Sequence, residues 1–115
     1  MRPFTVRPRI RIVGEDGTIA LGPGKADLLD AIAQTGSIRG AARELGMSYM
    51  RAWTLIRTMN AAFRSPLVEK VRGGSDQGGA RLTRRGAEVL AIYKRMEKQA
   101  EKAVTGSWRA MKRHL

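Results

Sequence analysis

The sequence has no cysteine and a single histidine, His114, next to the C-terminus. Disulfides, thiolate zinc sites and thiol redox chemistry are therefore excluded, and a cysteine-free chain fits a reducing compartment. One terminal histidine leaves no basis for a histidine metal cluster or a His-based general base. Acidic residues are scarce: 10 Asp and Glu stand against 22 Lys and Arg, giving a formal net charge of +12. No apolar run approaches the ~20 residues that cross a bilayer. The opening MRPFTVRPRIRIVG lacks the apolar centre of a signal peptide. The expectation is a cytoplasmic protein with no membrane span.

What is present suffices for one domain: 115 residues, 43% of them hydrophobic, can bury a modest core. The basic excess points to a polyanionic partner, with nucleic acid the common case and an anionic membrane surface the other. No trio of nucleophile, base and orienting group is visible, so neither enzyme activity nor a cofactor is expected.

Along the chain, Arg9 to Val13 alternates charged and branched apolar residues as a half-buried strand does. Glu15-Asp16-Gly17 reads as a turn and Thr18 to Leu21 as the returning strand. Gly22-Pro23-Gly24 breaks the chain before a helix from about Lys25 to Gln34, which Gly36 ends. Ser37 caps a second helix, Ile38 to Leu45, and Ser48 a third running to about Arg64. Leu67 to Arg72 and Ala80 to Thr83 read as strands joined by the flexible run GGSDQGG. Thr83 then caps a long helix from Arg84 to about Val104. No internal repeats are present. The fold class expected is mainly α with small β-hairpins: a winged helix-turn-helix with a long C-terminal dimerisation helix, spanning residues 1–104, followed by a basic tail over 105–115.

The chemistry is concentrated between Ser37 and Met59. A helix-turn-helix needs a small residue where its helices cross, which Ala42 supplies. It also needs a residue tolerant of a left-handed turn, and Gly46 stands four positions later. Ala41, Leu45, Met47, Ala52 and Ile56 are placed to lock the helices together. In the third helix Ala52, Ile56, Met59 and Phe63 form one stripe at helical period, assigned to the core. Trp53, at its border, is expected to pack. Met50, Thr54, Arg57 and Thr58 point away, and the first turn, Ser48-Tyr49-Met50-Arg51, is free to project. Recognition helices present this end and face to the major groove, where Arg suits guanine and Ser or Thr serves several bases. Tyr49 packs on the domain or lies along a phosphate, and Ser37 joins the candidate contacts.

The run GGSDQGG is not a phosphate-cradling loop. The Gly-Lys-Ser/Thr ending and the following helix are missing, and Asp76 repels phosphate. A hairpin tip explains the glycines better. Residues 45–87 carry eight basic side chains against two acidic ones. Of these, Lys70, Arg72, Arg81 and Arg84 surround the wing, where they suit phosphates or the minor groove.

These residues resemble the N-terminal DNA-binding domain of ModE-type molybdate-responsive bacterial regulators, which are related in this domain to LysR-type regulators. The resemblance runs from about Pro23 to Ala100. Its most specific part is TGSIRGAARELGMSYMRAWTLIRTMN, above all Gly-Met-Ser-Tyr-x-x-Ala-Trp at 46–53. Leu67-Val68-Glu69-Lys70, the paired glycines and Ala80-Arg81-Leu82-Thr83 follow. The resemblance implies a winged helix-turn-helix, a homodimer and operator binding, with Ser48, Tyr49, Met50 and Thr54 in the recognition helix. Met50 replaces a lysine found in some members, and Ser75 and Asp76 stand where a basic wing residue is typical. Both departures bear on base preference and on insertion of the wing tip. The family's oxyanion-binding portion lies C-terminal to this stretch, so a stand-alone DNA-binding domain without a tight molybdate site is expected.

For the dimer, Val89, Ile92, Met96, Gln99 and Ala103 follow 3-4 spacing along the last helix. Leu28, Leu29 and Ile32 of the first helix are expected to share the seam, unless the stripe merely covers the domain's own core. The leading expectation is a sequence-specific transcriptional regulator acting on double-stranded DNA, with its effector unknown. A non-specific nucleic-acid binder is the alternative, and a protein-interaction module the third.

Overall fold

Residues 3–71 and 79–115 are described by the structure, a computed structural model. The element order is β1 (Ile12–Val13), β2 (Ile19–Leu21), α1 (Pro23–Thr35), α2 (Ile38–Glu44), α3 (Tyr49–Ala62), β3 (Val68–Lys70), β4 (Ala80–Leu82) and α4 (Arg84–Lys112). Each hairpin is a separate antiparallel pair. The whole is a winged helix-turn-helix: α2 and α3 are the two helices, β3 and β4 the wing.

Caps define the helix starts. The hydroxyls of Ser37, Ser48 and Thr83 accept hydrogen bonds from the amides of Gly40 (2.9 Å), Arg51 (3.0 Å) and Gly86 (3.0 Å), satisfying donors that a helix start leaves open. Gly36 ends α1 at φ 70° and Gly46 makes the α2–α3 turn at φ 67°, both left-handed. Several expected boundaries move: the strand expected from Arg9 begins only at Ile12, and α3 ends at Ala62 rather than near Arg64. Helix α1 begins at Pro23 rather than beyond the Gly-Pro-Gly break, because proline's missing N–H and fixed φ suit the first helical position. Helix α4 passes Val104 and runs to Lys112, so the expected basic tail is helical for most of its length. Neither Thr105 nor Gly106 stops it: the Thr105 hydroxyl folds back onto the Glu101 carbonyl (2.9 Å), and no proline follows. At ~1.5 Å per residue the helix extends well past the globular part.

The core joins Leu28, Leu29 and Ile32 of α1 to Ile38 and Ala41 of α2, Ile56 and Met59 of α3, and Leu90 and Tyr93 of α4. This corrects one expectation. Leu28 and Ile32 have no exposed surface, because α2, α3 and α4 all pack on α1. They are unavailable to a partner chain. Gly86, one turn into α4, lets that helix touch the wing strand: a Cβ there would lie 2.0 Å from the Leu67 carbonyl oxygen. Among the described residues, no helix is long and apolar enough to cross a membrane.

Candidate nucleic-acid interface

Helix α3 has three longitudinal sides. Ala52, Ile56 and Met59 are buried against the domain. Opposite them, Met50, Thr54 and Arg57 are exposed, Met50 by 66%. An exposed methionine beside an exposed arginine, on a helix whose core side is already filled, is a surface with no packing role. The Thr54 hydroxyl donates to the Met50 carbonyl (3.0 Å) and that of Thr58 to the Leu55 carbonyl (2.9 Å). Both threonines thereby offer outward acceptor lone pairs and a methyl group. The Ser48 oxygen caps the helix, leaving its proton free.

The edge facing the wing is aromatic. Trp53 donates its indole N–H to the Tyr49 hydroxyl at 2.6 Å, and the rings meet edge-on with centroids 6.5 Å apart. Arg39 of α2 lies 4.8 Å from the centre of Tyr49, and Lys70 of β3 lies 4.6 Å from that of Trp53. The quadrupole of each ring attracts the cation above it. Cation, ring, ring and cation thus form a continuous ladder from α2 across α3 to the wing. Arg39 escaped sequence reasoning because its partner lies on another helix, and no spacing rule links them.

The wing is held by Asn60, also missed in the sequence. Its side-chain oxygen accepts from the amides of Leu67 (2.8 Å) and Val68 (3.3 Å), and its amide donates to the Val68 carbonyl (3.2 Å). A polar residue just off a core stripe is the only trace this leaves in the sequence. Replacing Asn60 by alanine leaves three half-buried backbone groups unpartnered. A loss of roughly 1–3 kcal/mol is expected, measurable by urea unfolding. An unchanged midpoint would show that water replaces the clamp without loss.

The remaining candidates divide. Register sets Glu69 opposite Arg81, and the two form an exposed ion pair at 2.7 Å, so Arg81 meets any phosphate in competition with a carboxylate. Arg84 pairs with Glu88 at 3.5 Å, also in solvent. Such exposed pairs are weak. Arg51 is exposed at the start of α3. Arg72 and the glycine-rich tip fall outside the described residues. Ser37 is a correction: its hydroxyl is spent on the Gly40 amide, the residue is buried, and its backbone bridges to Gly79 of the wing. It braces the wing, and burial keeps it from the surface. No group of residues able to hold a metal ion occurs among those described.

On α4, Val89, Ile92 and Met96 line a shallow apolar cavity of about 170 Å³ together with Ile12, Leu21 and Phe63. Ala103 lies further along, where every neighbouring position is exposed.

Residues 25–87 match the family described as bacterial regulatory helix-turn-helix protein, lysR family. The chain is 42% identical over 88 residues to the molybdenum-pterin-binding protein MopA of Rhodobacter capsulatus, covering 76% of this chain and 33% of that protein. It is 40% identical over 81 residues to the DNA-binding transcriptional dual regulator ModE of Escherichia coli, covering 70% and 31%. It thus spans about a third of the length of these curated relatives. Among solved structures, that of the CbnR DNA-binding domain in complex with DNA is similar at a TM-score of 0.61 and 22% identity, covering 76% of this chain and 95% of that one. At that identity the likeness concerns the fold.

Proposed function

Since the chain belongs to the lysR family of bacterial regulatory helix-turn-helix proteins, we propose that it binds double-stranded DNA sequence-specifically as a transcriptional regulator, acting in the bacterial cytoplasm. The observation that carries this reading is the solvent side of α3. Met50, Thr54 and Arg57 project from a helix with a capped start, and the core neither needs nor covers them. In the major groove Arg57 has the reach and the paired donors for guanine, Thr54 offers an acceptor and a methyl, and Met50 an apolar contact. Lys70 and Arg39, steadied over Trp53 and Tyr49, suit the backbone phosphates that fix register without reading sequence.

The experiment is selection of duplexes from a randomised pool, followed by affinity measurements on selected and random duplex over a salt series. The selected duplex is expected to bind far more tightly than the random one. Replacing Arg57 by alanine should cost roughly 1–3 kcal/mol on the selected duplex and relax preference at one position. Replacing Lys70 should weaken both duplexes alike and flatten the salt dependence. Equal affinity for selected and random duplex at every salt would instead make the protein a non-specific binder.

The finer part of the proposal is a homodimer. The apolar cavity beside Ile92 has almost no polar lining, and the distal part of α4 leaves Val104 and Met111 exposed. An amphipathic helix of this length needs an apolar partner surface. A second copy supplies one and sets two recognition helices on a pseudo-palindromic site. The mass in solution at micromolar concentration is the direct check.

A further inference from the structure

The edge of α3 away from the wing opens onto a cleft of about 490 Å³, in which Arg9, Arg11 and Lys25 face Arg51, Thr54 and Thr58 of α3. No carboxylate is among the described residues that line it. We propose that the segment before β1 is a second DNA-contacting element, in which Arg9 and Arg11 hold backbone phosphates on the side of the recognition helix opposite the wing.

Three observations support this. First, the segment is fixed in place. Tyr93 is buried, and its hydroxyl donates to the Ile10 carbonyl at 2.7 Å, while the Ile10 side chain packs on the core. Burial raises the Tyr93 phenol above its ordinary pKa, so it remains a donor. Ile10 is half-buried, while its neighbours Arg9 and Arg11 are both exposed. Second, Arg11 has a seat. Its Cγ lies 3.3 Å from where a Cβ on Gly22 would stand, so the glycine lets the aliphatic stem pass the start of α1 while the residue stays exposed. Lys25 donates to the Ile19 carbonyl, which ties the hairpin to α1 beside this seat. Third, the charge of this cleft is one-sided, although Arg9 also borders a second cavity, lined by Asp27, Glu97 and Glu101 beside Lys94 and Lys98. Residues 1–13 hold four arginines and no acidic residue, and the nearby Asp16 carboxylate accepts the Thr18 amide at 3.0 Å. A basic cleft shared with the recognition helix meets the phosphates that flank whatever that helix enters, which favours DNA over a free anion.

This inference rests on the DNA-binding reading, and its test is separable from it. The double variant R9A/R11A of the full chain is compared with wild type on selected and random duplex over a salt series. Each phosphate contact contributes about 0.9 to the slope of log K against log salt. The variant should therefore lose about 1.8 of slope and, from a common value at ~1 M salt, about 30-fold in affinity at ~0.15 M. The loss should be alike on both duplexes, with the thermal midpoint unchanged. R9K/R11K, which keeps the charges, should keep the slope. An unchanged slope in R9A/R11A, with wild type binding normally, overturns this inference alone, as does an R9K/R11K variant that behaves like the alanine pair. A stoichiometric calorimetric heat with inorganic phosphate that R9A/R11A loses at an unchanged slope also overturns it, because the cleft then takes a free anion. Wild type that binds no duplex even at low salt overturns both readings.

Discussion

Replacing Gly86 by alanine is expected to destabilise the protein by about 3 kcal/mol or more, at the top of the range for overpacking. Two effects oppose each other. Alanine in a helix is favoured over glycine by up to ~1 kcal/mol, and by itself this would stabilise α4. Against it, the new Cβ would sit 2.0 Å from the Leu67 carbonyl oxygen and 2.9 Å from its carbon. Relief requires α4 and the wing strand to part by about an ångström. Neither is free to do so: the Leu67 carbonyl accepts the Thr83 amide at 2.9 Å, the Leu67 amide is held by Asn60, and the Leu67 side chain is fully buried. Backbone meets backbone, and no flexible side-chain end can yield. The clash therefore wins, and the melting temperature should fall by ~12–24 °C, at about 4–8 °C per kcal/mol for a small domain. Gly106→Ala is the control, because a Cβ there meets nothing and should stabilise by a few tenths to ~1 kcal/mol. If both variants melted at or above wild type, α4 would not approach the wing as described.

The contrast between these glycines marks where the sequence stops being legible. Gly36 and Gly46 stand at helix ends, and their left-handed φ follows from local turn chemistry. Ser37, Ser48 and Thr83 are read as caps for the same reason: the amide each serves is three residues away. Hairpins, helix order and the core stripe of α3 are likewise local or periodic. Gly86 has no such signature, since the atom it accommodates lies on another element. The Asn60 clamp, the Arg39–Tyr49 contact, and the Tyr93–Ile10 bond, 83 residues apart in the chain, are also tertiary. Periodicity showed that Leu28 and Ile32 share a face with Leu29, but not that three helices would cover it completely. The exposure of Met50, Thr54 and Arg57 was legible, because exposure on α3 follows from the helical period once its core stripe is known. Ser37 failed because a cap residue can be buried by a strand that arrives much later in the chain.

If the proposed dimer forms through α4, Ile92→Asp is expected to convert it to monomers and, with that, to lower affinity for the selected duplex by roughly 10²–10⁴-fold, the factor that tethering two half-site binders ordinarily supplies. At about 100° per residue, Val89, Ile92 and Met96 form a stripe beside the buried Gly86, Leu90 and Tyr93. Ile92 is 45% exposed although apolar, and it borders the cavity shared with Ile12 and Phe63. A carboxylate there costs the free domain little, since solvent reaches it, but in a closed seam it would be buried and unpaired, which is severe. The effect should therefore appear in association and leave folding nearly untouched. Ala91→Asp introduces the same charge about 100° round α4, at an exposed position off the stripe, and controls for simple repulsion from DNA. It should remain dimeric and lose only the modest affinity that one added negative charge removes. Sedimentation of both variants at micromolar concentration, alongside duplex binding at fixed salt, separates the outcomes. A dimeric Ile92→Asp protein with wild-type affinity would move the partner surface away from this stripe, and equal losses in both variants would assign the effect to charge.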